Sequence, residues 1–306
     1  MLKTVPFEDK YINLFEALSP EKAELLRFHR DVIPKSRTAV VRVPKKRPGE
    51  ASSGETAFLG AGFLQAGQTY RARKDYPALS AYNVHMDFSV DFGDPEAVWA
   101  AEKLLKALIA RCEKLQAKEP EKTLALTYWV RSDARESRAF FESFGFREAY
   151  RVYRMGRELG ESPASERDPK ITEIDLLDGA AMKHYIEGSR EAYGVPDSED
   201  EMRFRILRQG ARVFTIEEKT FVTVWPLGNG AAATENVFTR AAFRRQGLSK
   251  RLLSGVAAIL RDEGVQRLEL NVYPKFAAHA LRMYRGLGYK RLYTLLEIRK
   301  NIPETV

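Results

Sequence analysis

Two stretches of this chain rhyme. FFESFGFRE from Phe140 and MYRGLGYKR from Met283 set an aromatic, an apolar residue, a glycine and an aromatic at matched positions. A long-range repeat of this kind marks a duplicated unit, so one plan of strands and helices must account for both halves. The 306 residues suit about two domains of ordinary size. Between the halves, GRELGESPASERDPK (Gly156 to Lys170) mixes glycine, proline, serine and charge without a hydrophobic period, as a linker does. The domains are therefore expected at residues 1–158 and 171–306, joined by 159–170.

The second half reads most clearly. ITEIDLL is a strand, DGAAMKHYIEGSREAY a helix that Asp178 can cap, and SEDEMRFRILRQ a further helix. ARVFTIEE, TFVTVWPLGN and AAATENVFTR alternate apolar and polar residues between turn signals, which predicts three successive antiparallel strands. Leu252, Leu253, Val256, Ile259 and Leu260 recur at helical spacing up to Gly264, a stop signal. RLELNVY is a strand; Ala277, Leu281, Tyr284 and Leu287 mark a helix closed by Gly288, and YKRLYTLLEIRK ends the half as a strand. The order is βααβββαβαβ. In the first half, RTAVVRV, AFLGAGFLQA, a run near Tyr82 to Phe92 and TLALTYWV read as strands, with helices near Pro95 to Leu115 and at ESRAFFESFG. PKKRPGEASSGET reads as a polar loop. Both halves are thus expected to be α/β, each a mixed, mostly antiparallel sheet flanked by helices.

Composition removes several functions. No apolar run approaches the ~20 residues of a membrane helix, and the acidic, polar N-terminal segment has no signal-peptide core, so a cytoplasmic location is expected. Cys112 is the one cysteine and there are four histidines, so neither a disulfide nor a metal cluster is expected. Cys112 itself, in ALIARCEKLQ, reads as a structural thiol. The net charge of +8 favours anionic partners, phosphorylated small molecules as readily as nucleic acid. No stacking-aromatic motif of an RNA module accompanies it, and nucleic acid is not expected as the partner.

FRRQGLSKRLL, from Phe243, crowds cations against one glycine where a strand runs into a helix. Consecutive backbone N–H groups and the positive end of the helix dipole then meet at one point, and a pyrophosphate fits there. Gly247 lets the ligand approach the main chain, while Arg244, Arg245, Lys250 and Arg251 can neutralise phosphate charge. Taken alone, the same residues also suit a solvated basic helix start.

At this point the sequence resembles the GCN5-related N-acetyltransferase (GNAT) superfamily. Its acyl-CoA loop, Arg/Gln-x-x-Gly-x-Gly/Ala, stands here as Arg244-Arg245-Gln246-Gly247-Leu248-Ser249, and its second signature as Ala280, Tyr284, Leu287, Gly288 and Tyr289. Ser249 replaces the last small residue, and Ala277 stands where the family often has an asparagine. The resemblance covers roughly the second half. In the first, Glu96 to Glu102 occupies the place of the cationic loop without glycine or arginine, and Phe141 matches Tyr284 without its hydroxyl. The whole chain resembles tandem acetyltransferases with a degenerate first copy.

The resemblance implies acetyl-CoA as co-substrate and a small-molecule or peptide amine as acceptor. Val237, Phe238, Thr239 and the loop Arg244, Arg245, Gln246, Gly247, Leu248, Ser249 and Lys250 would hold acetyl-CoA, with an N–H of the Val237–Thr239 strand meeting the developing oxyanion. An alkylamine of pKa about 10 needs a base at neutral pH, and Glu235 is the candidate, or else a glutamate on an exposed strand face. Tyr284 is the candidate acid for the departing thiolate, or else a core tyrosine. Asp197, Glu199, Asp200 and Glu201 could attract a cationic acceptor or simply suit a helix start; His279 reads as a surface residue. A CoA-binding or scaffold protein without catalysis remains the alternative.

Overall fold

The computed structural model describes residues 2–18, 38–42, 57–66, 80–88, 95–118, 124–160, 168–193, 199–275 and 277–302. The loop PKKRPGEASSGET and Asp197 lie outside them. The chain forms two compact units: Met1–Thr69 with Ala78–Ala149 and Leu296–Val306, and Tyr70–Pro77 with Tyr150–Leu295. Neither unit is a continuous piece of sequence.

The first unit holds strands β1 (Leu2–Pro6), β2 (Thr38–Arg42), β3 (Ala57–Ala66), β4 (Ser80–Phe88) and β5 (Leu124–Arg131), and helices α1 (Ile12–Leu18), α2 (Pro95–Gln116) and α3 (Arg135–Ser143). β1 to β4 are antiparallel neighbours, and β5 joins β4 in parallel, Ser80 opposite Leu124. Strand β1 and helix α1 were not legible in the sequence. α2 forms because Ala100, Ala101, Leu104, Leu105, Leu108 and Cys112 fall on one helical stripe, and all six are buried. Phe141 stacks on Tyr128 with centroids 4.2 Å apart, inside the same core. Burial pushes the Cys112 thiol up to about 12, which fits the structural role expected of it.

The second unit contains β6 (Arg147–Glu158) from Tyr150 onward, β7 (Ile171–Ile174), α4 (Gly179–Tyr193), α5 (Glu199–Gln209), β8 (Arg212–Ile216), β9 (Thr220–Gly228), β10 (Ala231–Thr239), α6 (Leu248–Asp262), β11 (Arg267–Val272), α7 (Ala278–Gly286) and the start of β12 (Lys290–Asn301). From β7 to β12 this is the expected βααβββαβαβ order. Its strands lie in the order β6-β11-β10-β9-β8-β7, with β10 and β11 parallel and the other pairs antiparallel. Asp178 caps α4 as expected, its Oδ1 accepting the Ala180 N–H at 2.7 Å.

The linker-like composition of GRELGESPASERDPK begins inside a strand. Gly156, Arg157 and Glu158 continue β6 and pair with Glu269, Leu268 and Arg267 of β11. Local composition hid this strand because its support is long-range: Arg154 and Arg267 both donate to the buried carboxylate of Glu269, each at 2.8 Å. A matching segment closes the first unit, where Leu296, Ile298 and Ile302 enter the core and the Ile302 N–H donates to Leu124 O at 3.0 Å.

The rhyme in the sequence is a shared helix ending. Phe146 N–H bonds Phe141 O at 3.1 Å and Tyr289 N–H bonds Tyr284 O at 3.0 Å, each across a left-handed glycine, Gly145 (φ 84°) and Gly288 (φ 89°).

In the second unit the sheet separates two helical layers. Val213, Phe221 and Phe238 pack with Met182, Tyr185 and Met202 of α4 and α5. Phe214, Val222, Val224 and Ala232 pack with Leu252, Leu253, Val256 and Tyr284 of α6 and α7. No helix among the described residues is long and apolar enough to cross a membrane.

A Cβ on Gly188 would stand 2.8 Å from Phe238 Cε2, and that ring is wedged against Tyr185 and Phe221. Overpacking costs about 1–3 kcal/mol against a helix-propensity gain of about 1. Gly188→Ala is expected to lower the stability measured by urea denaturation despite lying in a helix. Cys112 is expected to react with a disulfide reagent in denaturant and to stay silent in buffer at pH 8.

Candidate active site

AAATENVFT begins as an inner strand and ends as an edge. Ala231, Ala232 and Ala233 pair with Arg267, Leu268 and Glu269 of β11 on one side and reach Trp225 of β9 on the other. After Ala233 the parallel partner is lost. Thr234 makes the last link, its Oγ1 donating to Glu269 O at 3.3 Å. β10 follows β9 as far as Thr239 opposite Thr220, while β11 follows β6 as far as Val272 opposite Tyr153. A wedge opens between two strands that started side by side.

A β-bulge turns the free stretch. Asn236 and Val237 together oppose Val222, and Asn236 takes φ 47°, the left-handed conformation asparagine tolerates better than most residues. The extra residue puts Glu235 and Phe238 on the same face, toward α4 and α5. Three contacts secure the bulge from that side: Tyr193 OH donates to Val237 O at 2.9 Å, Asn236 Nδ2 donates to Tyr185 OH at 3.2 Å, and Tyr185 OH meets Thr223 Oγ1 at 2.9 Å.

The cationic segment follows directly. β10 ends at Thr239, a 3-10 turn spans Ala241–Phe243, and Gly247 caps α6 in the left-handed region (φ 76°, ψ 3°) with no side chain on the first-turn amides. Arg245 is also left-handed, at φ 66°. Alternating handedness turns successive N–H groups inward, and the helix dipole adds its positive end, so the turn is a ready anion cradle. A Cβ on Gly247 would meet nothing within 4 Å, so the space the cradle faces is open.

The side chains divide into those that hold the loop and those that remain available. Arg244 Nε donates to Thr239 O at 3.0 Å and its Nη2 to Glu191 O at 3.3 Å, so this guanidinium braces the turn. Arg251 forms a two-point pair with Asp168, whose carboxyl is held below its ordinary range by that guanidinium. Ser249 Oγ shares a hydrogen bond of 2.7 Å with Thr239 Oγ1, which donates to Thr220 Oγ1 at 2.9 Å. Glu191 accepts the Ala241 N–H and pairs with Arg240 Nε at 3.5 Å. Arg245, Gln246 and Lys250 are exposed and have no such bond among the described residues. Phe238 is 3% exposed and Leu248 packs on the α6–α7 core, so both face inward with their side chains.

Glu235 and Tyr284 lie on opposite faces of the sheet. Glu235 is part-exposed, with Arg205 Nη1 of α5 at 3.7 Å from its Oε2, and that guanidinium sits 5.7 Å from the centroid of Trp225. Tyr284 is 7% exposed on α7, its ring centroid 5.8 Å from that of Tyr289. Burial pushes its phenol up, so it keeps its proton throughout the neutral range. Tyr289, buried beside Thr234, is pushed up to about 12 by the same cause. His279 is exposed, as expected, and α5 begins at Glu199. Sequence reasoning missed Tyr193, Glu191 and Arg205, whose roles depend on contacts with residues 44, 50 and 30 positions further along the chain. No local pattern announces them.

The model of the acetyltransferase (GNAT) family matches residues 182–289, which include the cradle, the bulge and Tyr284. Residues 182–289 are a GNAT domain. Acyl transfer is the general chemistry of that family. No curated protein matches the chain. Among solved structures, a GCN5-related N-acetyltransferase from Sphaerobacter thermophilus is similar over 100% of this chain and 97% of its own (TM-score 0.65, 17% identity). A tandem GNAT protein from the clavulanic acid biosynthesis pathway is similar over 100% of both chains (TM-score 0.57, 16% identity). A GCN5-related N-acetyltransferase from Kribbella flavida covers 98% of this chain and 72% of its own (TM-score 0.54, 9% identity). At these identities the likeness is one of fold.

Within the GNAT domain, a left-handed Cβ costs about 1–2 kcal/mol, and at Gly247 nothing else opposes one. Gly247→Ala is expected to lose about that much stability in urea denaturation, without the larger loss of a steric clash.

Proposed function

We propose that the GNAT domain binds an acyl-CoA, acetyl-CoA in the first instance, and transfers its acyl group directly to a primary amine of a small molecule or peptide. The observation that carries this reading is the juxtaposition of an uncapped helix start at Gly247 with the strand edge that β10 leaves unpaired beyond Thr234. The amides of residues 247–250 suit a pyrophosphate, with Arg245 and Lys250 adding charge and Arg244 holding the turn in shape. The free edge of β10 at Val237 to Thr239 offers backbone groups to the extended arm and an N–H to a developing oxyanion. Tyr193 fixes the bulge carbonyl and so the direction of that edge.

Bound acetyl-CoA supplies an activated thioester. The protein's part is to deliver a neutral amine and to receive charge on the leaving sulfur. Glu235 accepts the amine proton, directly or through water, and passes it to solvent. Tyr284, kept protonated by burial, donates a hydrogen bond toward the thiolate. As the amide C–N bond forms, the C–S bond breaks, and no acyl group need rest on the protein. Cys112 is buried in the first unit and takes no part.

The first unit is, in this reading, a GNAT-like copy that supports the second. The shared helix ending and the parallel β4–β5 pair support it, and Phe141 packs where the second unit has Tyr284. The pairing of Glu235 with Arg205 favours one other reading, a non-catalytic acyl-CoA-binding protein whose glutamate is structural.

Isothermal titration with acetyl-CoA is expected to show binding that Gly247→Asp abolishes; absence of binding to the unaltered protein would sink both readings. With an accepted amine, Tyr284→Phe is expected to lower kcat about 100-fold with little change in acetyl-CoA affinity. Binding without turnover of any amine, peptide or amino acid would leave the non-catalytic reading standing.

A further inference from the structure

The residue proposed as base faces a fixed cation. Arg205 is held on α5 with its guanidinium over Trp225, and its Nη1 lies 3.7 Å from Glu235 Oε2. The pair is open to solvent in part, with side-chain exposures of 20% and 33%. A structural ion pair at a strand end needs no aromatic platform. Here the platform pins a planar, five-donor fork in one orientation beside the place where an amine must arrive.

Resting on the acyl-transfer reading, we infer that the acceptor is an amino acid: its amine goes to Glu235 and its carboxylate to Arg205. The charge pattern carries the inference. An ammonium alone would be attracted by Glu235 and repelled by Arg205 within one short span, so a simple alkylamine gains little from this site. In an α-amino acid the nitrogen and the carboxyl carbon stand about 2.5 Å apart, from the N–Cα and Cα–C bond lengths and the angle between them. Such a zwitterion presents opposite charges within the 3.7 Å that separates Glu235 Oε2 from Arg205 Nη1, in the complementary order. On entry it makes two charge-assisted contacts, one of which can be a bidentate guanidinium–carboxylate fork.

Arg205 thereby orients the amine as well as selecting it. With the carboxylate fixed, the nitrogen is confined to the Glu235 side, the side on which the bulge displays β10. The reaction consumes the neutral form of the amine, and the bond changes are those given above: the amide C–N bond forms, the C–S bond breaks to release the thiolate, and Glu235 receives the proton lost by the nitrogen.

The experiment compares the twenty standard amino acids with their decarboxylated amines as acceptors, using acetyl-CoA and the full chain, with thiol release as the readout. At least one amino acid is expected to exceed its decarboxylated partner by about 100-fold in kcat/KM, the size of effect a charge-assisted pair supplies. Arg205→Gln should bring that ratio near unity, and Arg205→Lys should leave it intermediate because the charge stays while the fork is lost. Acetyl-CoA titration of both variants checks that they fold. Amines turned over as well as, or better than, amino acids would overturn the inference and leave acyl transfer to amines intact. An unchanged ratio in Arg205→Gln would likewise overturn it. If no compound is turned over, the amino-acid assignment fails, and the acetyl-CoA titration shows separately whether the site binds acyl-CoA at all.

Discussion

The separation of β10 from β11 governs the candidate site. A strand in a sheet satisfies its N–H and C=O groups on both sides, and β10 does so only through its three alanines. From Thr234 on, one edge has no strand beside it among the described residues. Leaving it so in a sheet interior costs free energy, which the bulge at Asn236 and Val237 partly offsets by redirecting the chain and handing one carbonyl to Tyr193. The free edge and the open end of α6 then come from a single stretch, Thr234 to Lys250. Strand, bulge, turn and helix start have to be right together.

Much of the unit exists to hold that stretch still. On one side the last turn of α4 reaches it at two points: Tyr193 at the bulge, and Glu191 at Ala241 and Arg240. On the other, hydroxyls pass from Ser249 through Thr239 and Thr220 to the Phe238 carbonyl, which ties the helix start back to the strand. The cations of FRRQGLSKRLL are therefore not equivalent. Arg244 and Arg251 are engaged with oxygens of the framework, and Arg245 and Lys250 stay exposed. Donors engaged with backbone carbonyls or a carboxylate give rigidity, while exposed, unengaged charge gives attraction.

The second half was legible in the sequence because its elements carry strong local signals. Alternation marks β8, β9 and β10, a leucine stripe marks α6, and left-handed glycines close α6 and α7 where Gly264 and Gly288 stand. The matched helix endings at FFESFGF and MYRGLGY were legible for the same reason: a Cβ-free residue at positive φ is a local demand. What remained hidden depends on distant partners. β1 and α1 lack a clear period, and β6 reads as linker at its end because Gly156 to Glu158 owe their strand conformation to β11. The assignment of Tyr150 to Glu158 to the second unit, and of Leu296 onward to the first, follows from pairing and burial that no window of sequence contains.

Sequence alone determined the kinds and order of the second unit's elements and the cationic turn, because hydrophobic period, glycine conformation and charge are local properties, while Glu235 and Tyr284 came in as candidates through the resemblance to the GNAT superfamily. Tertiary structure decided where each of them stands. It turned Phe238 to the face of Glu235 by adding one residue at the bulge, left Tyr284 on the other face, engaged Arg244 and Arg251 in the framework, and brought Arg205 to Glu235 across two intervening strands. Those outcomes depend on which segments pack together, and packing is a property of the folded whole.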